Sequence, residues 1–281
     1  MTIKNRTIRQ VLASILIIVS ILNAVHFESA QAASPQQPRQ ASAQNQISCI
    51  RPASYEMKIH CANLEANLLA VTVRIEMHAQ YNLQGHNYTK VHPSHATIMA
   101  GRYLVTHNHF KFALTETAAR GEEGYFAISL RSADGAPILD QASLDAFTIV
   151  HADAQTLVLE FLTPQGNGLF SALGLPSANF ADWQIANLHP GTELAQIDWN
   201  GTRAHVDWVQ IDNMQLYDAV PQLQVNNFAR FGCSGGGIFW QGQHIGNNWA
   251  RNVEENPAND EITRRYSIVA LNSSGVLELA Q

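Results

Sequence analysis

The chain has 281 residues, 46% of them hydrophobic, and 17 Lys and Arg against 23 Asp and Glu give it a net charge of −6. That length and hydrophobic content can bury a sizeable core in one large or two small domains, and they exclude a chain disordered throughout. The mildly acidic balance, with no basic cluster, argues against nucleic-acid or membrane-surface partners.

The first element is an export signal. Lys4, Arg6 and Arg9 precede the apolar run VLASILIIVSILNAV at 11–25, and SAQAAS follows with Ala30 and Ala32 at the small positions of a cleavage site. The run is 15 residues long, short of the roughly 20 a spanning helix needs. Residues 1–32 are therefore expected to be a cleaved signal peptide, leaving a secreted or extracytoplasmic protein with no membrane attachment and a net charge of −8. Residues 33–46 are almost all Gln, Pro, Ser and Ala, a disordered linker by composition. An oxidising compartment makes Cys49 and Cys61 plausible disulfide partners across a short loop, with Cys233 left over.

Beyond the linker, residues 53–69 carry the one stretch that suggests a helix, whereas AVPQLQV at 219–225 is broken as a helix by Pro221. Period-two alternation marks strands at 71–78, 125–130, 156–162 and 265–271. The segment 192–212 places two alternating runs around Asn200 and Gly201, which predicts a β-hairpin with a two-residue type I′ turn. Trp199 and Trp208 in that hairpin read as core aromatics, and His205 and Asp207, two apart on one strand, as a surface pair. The acidic segment 253–261 reads as an exposed loop. The fold class is all-β, and the glycine-rich break at 164–179 divides it into N-terminal (47–165) and C-terminal (166–281) β domains.

The residues with the strongest chemical signal are RFGCSGGGIFW, 230–240. Gly232, Ser234 and Gly236 fit the G-x-S-x-G elbow of α/β-hydrolases. That elbow needs a helix after the serine and an acid and histidine downstream, yet only 47 residues follow and His244 is the sole histidine among them. The same residues fit G-x-S-G-G, which resembles the trypsin-like serine proteases. The resemblance covers roughly residues 70–275 and extends to GRYLVTHNHF (101–110), where His109 matches the family's histidine, with His107 an alternative on the same strand face. DAQTLVLEFLTP (153–164) resembles the strand that follows the family's acid, with Asp153 set back by a few residues and Asp145 the alternative. HIGNNWA (244–250) stands where the family pairs with substrate backbone; Trp249 matches, while Asn248 and Ala250 replace a serine and a glycine.

The resemblance implies two antiparallel β-barrels of the chymotrypsin type with the active site between them. It implies a serine endopeptidase acting through an acyl-enzyme: Ser234 attacks, His109 shuttles the proton, Asp153 orients the imidazole, and the N–H groups of Gly232 and Ser234 form the oxyanion hole. Asn248, Trp249 and Ala250 would bind substrate, and Phe228 or Arg230 would set the specificity pocket as apolar or as suited to acidic side chains. Cys233 stands where digestive members carry an aspartate, so their zymogen salt bridge is not available to this chain. Its expected partner is a polypeptide substrate, its expected state a monomer, and no cofactor or metal is expected. A catalytically inactive protease-like binding domain is the alternative.

Overall fold

The computed structural model describes residues 48–83, 86–109, 124–143, 146–181, 188–217, 220–256 and 261–279. The expected signal peptide, the linker and Asp145 lie outside these residues. Among them, no helix is long and apolar enough to cross a membrane.

The chain enters through Ser48–Ile50, which the carboxylate of Glu193 captures: it accepts from Ser48 Oγ at 2.8 Å, from the Cys49 N–H, and from the Ile50 N–H at 3.1 Å. The Cys49–Cys61 disulfide then ties this segment to helix α1 (Tyr55–Ala70), as expected. Ser54 caps α1 by accepting the Met57 N–H at 3.2 Å, and Cys61, Leu64 and Leu68, at helical spacing, face the core. Because Glu193 gathers donors from three consecutive residues through a charged acceptor, Glu193→Gln should lower the unfolding free energy by about 1 kcal/mol. A urea titration that leaves the midpoint unmoved would contradict this.

Two antiparallel sheet units follow, so the fold is all-β as the alternation implied. The first is a curled seven-stranded sheet in the order β5-β4-β1-β2-β3-β7-β6. Its strands are β1 (Thr72–Leu83), β2 (His86–Met99), β3 (Tyr103–His107), β4 (Gly124–Ser132), β5 (Pro137–Ser143), β6 (Thr148–Ala152) and β7 (Thr156–Glu160). Val73, Ile75 and Met77 of β1 send alternate side chains into its core with Ile98, Leu104 and Phe161. The short helix α2 (Leu169–Ala172) adds Phe170 to that core.

The second unit is a closed barrel, β10-β13-β12-β11-β8-β9. It comprises β8 (Glu193–Trp199), β9 (Ala204–Tyr217), β10 (Val220–Val225), β11 (Gly237–Trp240), β12 (Gln243–Asn256) and β13 (Glu261–Leu271). Val105 and Val158 of the sheet meet Ala195, Ile197 and Phe239 of the barrel in one buried cluster, which Leu68 of α1 and Val276 of the C-terminal helix α3 (Ser274–Glu278) complete. Each such buried side chain contributes roughly 1.5–3 kcal/mol over its exposed state, so this cluster fixes how sheet and barrel face each other.

Two local expectations are corrected, the hairpin turn and the loop at 253–261, while the break of any helix at 219–225 is borne out. The β8–β9 hairpin forms, but its connection is a four-residue loop because Trp199 pairs with Ala204. The Asn200 side-chain oxygen accepts from Thr202 N–H, Thr202 Oγ and Arg203 N–H, holding a loop wider than a type I′ turn. Residues 220–225 form a strand despite Pro221, which lies opposite Leu216 while pairing with β13 begins only at Gln222, so no ladder donor is lost. Residues 253–256 continue β12 rather than starting a loop, paired with Arg265 through Glu261.

Candidate active site

The segment between β10 and β11 makes two consecutive turns. The Cys233 N–H reaches the Arg230 carbonyl at 3.4 Å, and the Gly236 N–H reaches the Cys233 carbonyl at 2.8 Å. The third residue of each turn is a glycine with positive φ, Gly232 at +94° and Gly235 at +76°, as a type II turn requires. This accounts for the spacing of the two glycines around Ser234.

Strand β2 holds this loop from the sheet side. The His95 N–H donates to the Ser234 carbonyl at 2.9 Å, Ser94 Oγ donates to the same oxygen, and His95 Nδ1 donates to the Gly232 carbonyl at 2.7 Å. On the barrel side, Gly235 N–H meets the Asn248 carbonyl at 2.7 Å and Asn248 N–H meets the Gly236 carbonyl at 2.8 Å. The N–H groups of Gly232 and Ser234 have no acceptor among the described residues. Burial lowers the His95 imidazole to about 4, so it is neutral at physiological pH and its single proton sits on the nitrogen that bonds Gly232.

His109 and Ser234 line one cleft of about 190 Å³ together with Trp249, Ala250 and Arg251. Burial lowers the His109 pKa, favouring the neutral, basic imidazole. The neighbouring His107 is differently placed. It is buried, its Nδ1 accepts the His109 N–H at 3.2 Å, and its Nε2 donates to Ser94 Oγ at 2.7 Å. Those bonds occupy both ring nitrogens, so the two histidines are not interchangeable: His107 braces the serine loop through Ser94, and only His109 faces the cleft. The rings of His107 and His109 meet edge to face, centroids 4.3 Å apart.

Asp153 bonds elsewhere. Its carboxylate accepts from the Gln155 and Thr156 N–H groups at 2.8 and 2.7 Å and pairs with His151 Nε2 at 3.0 Å. Burial pushes this carboxyl up, but the bonds from His151, Gln155, Thr156 and Ser273 together outweigh it and hold the pKa at about 2. No hydrogen bond joins Asp153 to His109 among the described residues. The connection is through the backbone, since Asn108 Nδ2 donates to the Asp153 carbonyl at 2.6 Å and fixes the turn before His109.

Of the expected substrate-binding residues, Asn248, Trp249 and Ala250 line the cleft and Phe228 is not among its lining residues. The Asn248 amide is fully engaged, accepting from Gln196 at 2.6 Å and donating to the Ile197 carbonyl at 2.7 Å. Cys233 is the free thiol, buried in the wall of the cleft, its pKa pushed up by burial and then by the charge of Asp198, which leaves it protonated and unreactive.

The expected surface pair forms, with His205 Nε2 3.4 Å from Asp207 Oδ1. Together with Asp198 these residues offer three ligand atoms within 4.8 Å of one another, a set that suits a divalent cation in kind. The Asp198 oxygen already takes the N–H groups of Trp199 and Arg230 at 2.8 and 3.0 Å, and Asn227 donates to Asp207 at 2.9 Å, so protein donors serve both carboxylates. Trp199 and Trp208 pack against the cluster between sheet and barrel, half-buried rather than fully enclosed.

The residues that sequence reasoning missed are Ser94, His95, Asp198, Phe231 and Arg251. Each acts on a partner distant in the chain or across a loop, and none sits in a periodic pattern that marks it.

No protein-family model matches the chain, and no curated protein matches it. Among solved structures, a thermostable serine protease from an extremophilic microorganism is similar at 12% identity, covering 73% of this chain and 93% of that one with a TM-score of 0.42.

Proposed function

We propose that the protein is an exported serine endopeptidase in which Ser234 is the nucleophile and His109 the general base. The observation that carries this reading is that His109 and Ser234, 125 positions apart, line one cleft, and that the Ser234 N–H there has no acceptor among the described residues. In this reading Ser234 Oγ attacks the peptide carbonyl while His109 takes its proton and returns it to the leaving amine. The N–H groups of Gly232 and Ser234 receive the oxyanion, and water then releases the acyl group. Asp153 contributes through Asn108, which steadies the turn carrying His109, while the edge of His107 meets the His109 ring. The disulfide and the signal-like N-terminus support an oxidising, extracytoplasmic setting.

One observation favours the alternative, a protease-like binding domain without turnover: among the described residues no carboxylate bonds His109, and Asp153 is committed to His151. A fluorophosphonate probe separates the two. Wild type should be labelled, Ser234→Ala not at all, and His109→Ala at least about a thousandfold more slowly, the usual weight of a lost general base in such a pair. Failure of the folded wild type to react would leave the binding domain as the reading.

A further inference from the structure

The cleft beside Ser234 carries charge of one sign. Among the described residues, the charged side chains that line it, Arg230 and Arg251, are both cationic, and no carboxylate does. The guanidinium of Arg251 lies over two aromatic rings, 3.5 Å from the centroid of Phe231 and 4.9 Å from that of Phe228. Phe231 is 82% exposed, an unusual position for a phenylalanine unless its ring is used by something outside the core. Neither Arg251 nor Arg230 pairs with a carboxylate among the described residues. Asp198, whose charge helps to keep the Cys233 thiol protonated, does not line the cleft.

A guanidinium that rests on aromatic faces keeps its N–H donors in its own plane, where they can fork onto a carboxylate. The rings also displace water from the cation, which strengthens its attraction for an anion and lowers the entropy lost on binding. The other polar groups of the cleft do not compete as readers: the Asn248 amide is satisfied and the Cys233 thiol is protonated.

We infer that this cleft selects an acidic side chain, with Arg251, resting on Phe228 and Phe231, receiving the carboxylate of a glutamate or aspartate beside the bond presented to Ser234. The inference rests on the peptidase reading for the nature of the ligand, a polypeptide, but the anion site does not depend on turnover. A chain-terminal carboxylate would offer the same chemistry, and the test distinguishes it.

The test measures binding of dye-labelled peptides to Ser234→Ala by fluorescence anisotropy, alongside fluorophosphonate labelling of the wild type. The peptides are one with an internal Glu and an amidated end, its Gln counterpart, and a Gln peptide with a free carboxylate end. The Glu peptide should bind at least about tenfold more tightly than the Gln peptide. Adding Arg251→Gln should bring that ratio to about one, and Arg251→Lys should keep part of it by retaining charge without the fork. Equal binding of Glu and Gln peptides, no binding of either, or a Glu preference that survives in Arg251→Gln would overturn the inference; the first two need no variant at Arg251. Preference for the free-ended Gln peptide over the Glu peptide would overturn the side-chain assignment. Labelling with no Glu preference would sink the anion site and leave the peptidase. Glu preference without labelling would do the reverse.

Discussion

Gly235→Ala will cost the fold about 3–5 kcal/mol, enough to unfold a domain of ordinary stability or leave it barely folded. Part of this is backbone: φ is +76° at Gly235, and an L-residue there costs roughly 1–2 kcal/mol. The larger part is space. A Cβ would fall within hard-contact range of the Thr106 hydroxyl and the His95 carbonyl, and 3.0 Å from His107 Cδ2. All three neighbours belong to strands paired on both sides, and the His95 carbonyl already accepts from Thr106 Oγ1 at 2.7 Å, so relief must come from moving the loop off β2. That movement also breaks the bonds that hold the carbonyls of Gly232 and Ser234. Gly135→Ala is the control, because φ there is +94° but nothing lies within 4 Å of the added carbon. It should show the backbone cost alone, about 1–2 kcal/mol. Urea titrations in which the two variants lose the same amount would refute the spatial argument.

Acidification between pH 6.5 and 4 will remove several kcal/mol of stability, ahead of any carboxylate effect. Burial lowers His95 and His244 to about 4, and lowers His107 well below its ordinary value with a further push from His109. Each is neutral in the fold, while the unfolded chain takes up a proton near pH 6.5. The unfolded state therefore binds more protons in this window. The stability from neutral burial is complete above 6.5 and is lost as pH falls toward 4, at up to about 1.4 kcal/mol per pH unit for each group. Asp153 acts lower down: its carboxyl stands at about 2, so its contribution is present above 3.8 and is lost as pH falls from there toward 2. Denaturation midpoints at pH 7 and pH 5 test this, and an unchanged midpoint contradicts it. His244 gives a second check, since it should titrate only near pH 4 by NMR, held by Asn247 and Asn272 at 3.2 Å on either ring nitrogen.

Much of the architecture was legible because it is written in neighbouring residues. Alternation exposed β1, β4, β7 and β13, the stretch at 53–69 marked α1, and the short interval between Cys49 and Cys61 marked their bridge. The serine loop was legible for the same reason, since a turn with positive φ demands glycine at a fixed offset. Hidden were features decided by partners far along the chain. Nothing local says that the first sheet stays open while the second closes, because closure depends on β9 meeting β10 on one side and β8 on the other. His95 looks like any histidine in a strand until Gly232, 137 positions later, offers its carbonyl. Asp153 illustrates the converse limit: its place before a β-strand was readable, but its choice of His151 and Ser273 over His109 was set by where β6 and the start of α3 bring those side chains.

The burial of Cys233 bears on how the disulfide is made. Three thiols can pair in three ways, and only one pairing is native. Once the serine loop has docked on β2, Cys233 is out of reach of oxidant and of its two rivals, so oxidation after folding yields a single product. Oxidation of a still unfolded chain draws on all three, and a wrong pair involving Cys233 would keep the serine loop from closing. Assembly of the cleft and fidelity of the bridge are thus one kinetic contest, decided by whether the barrel or the oxidant arrives first.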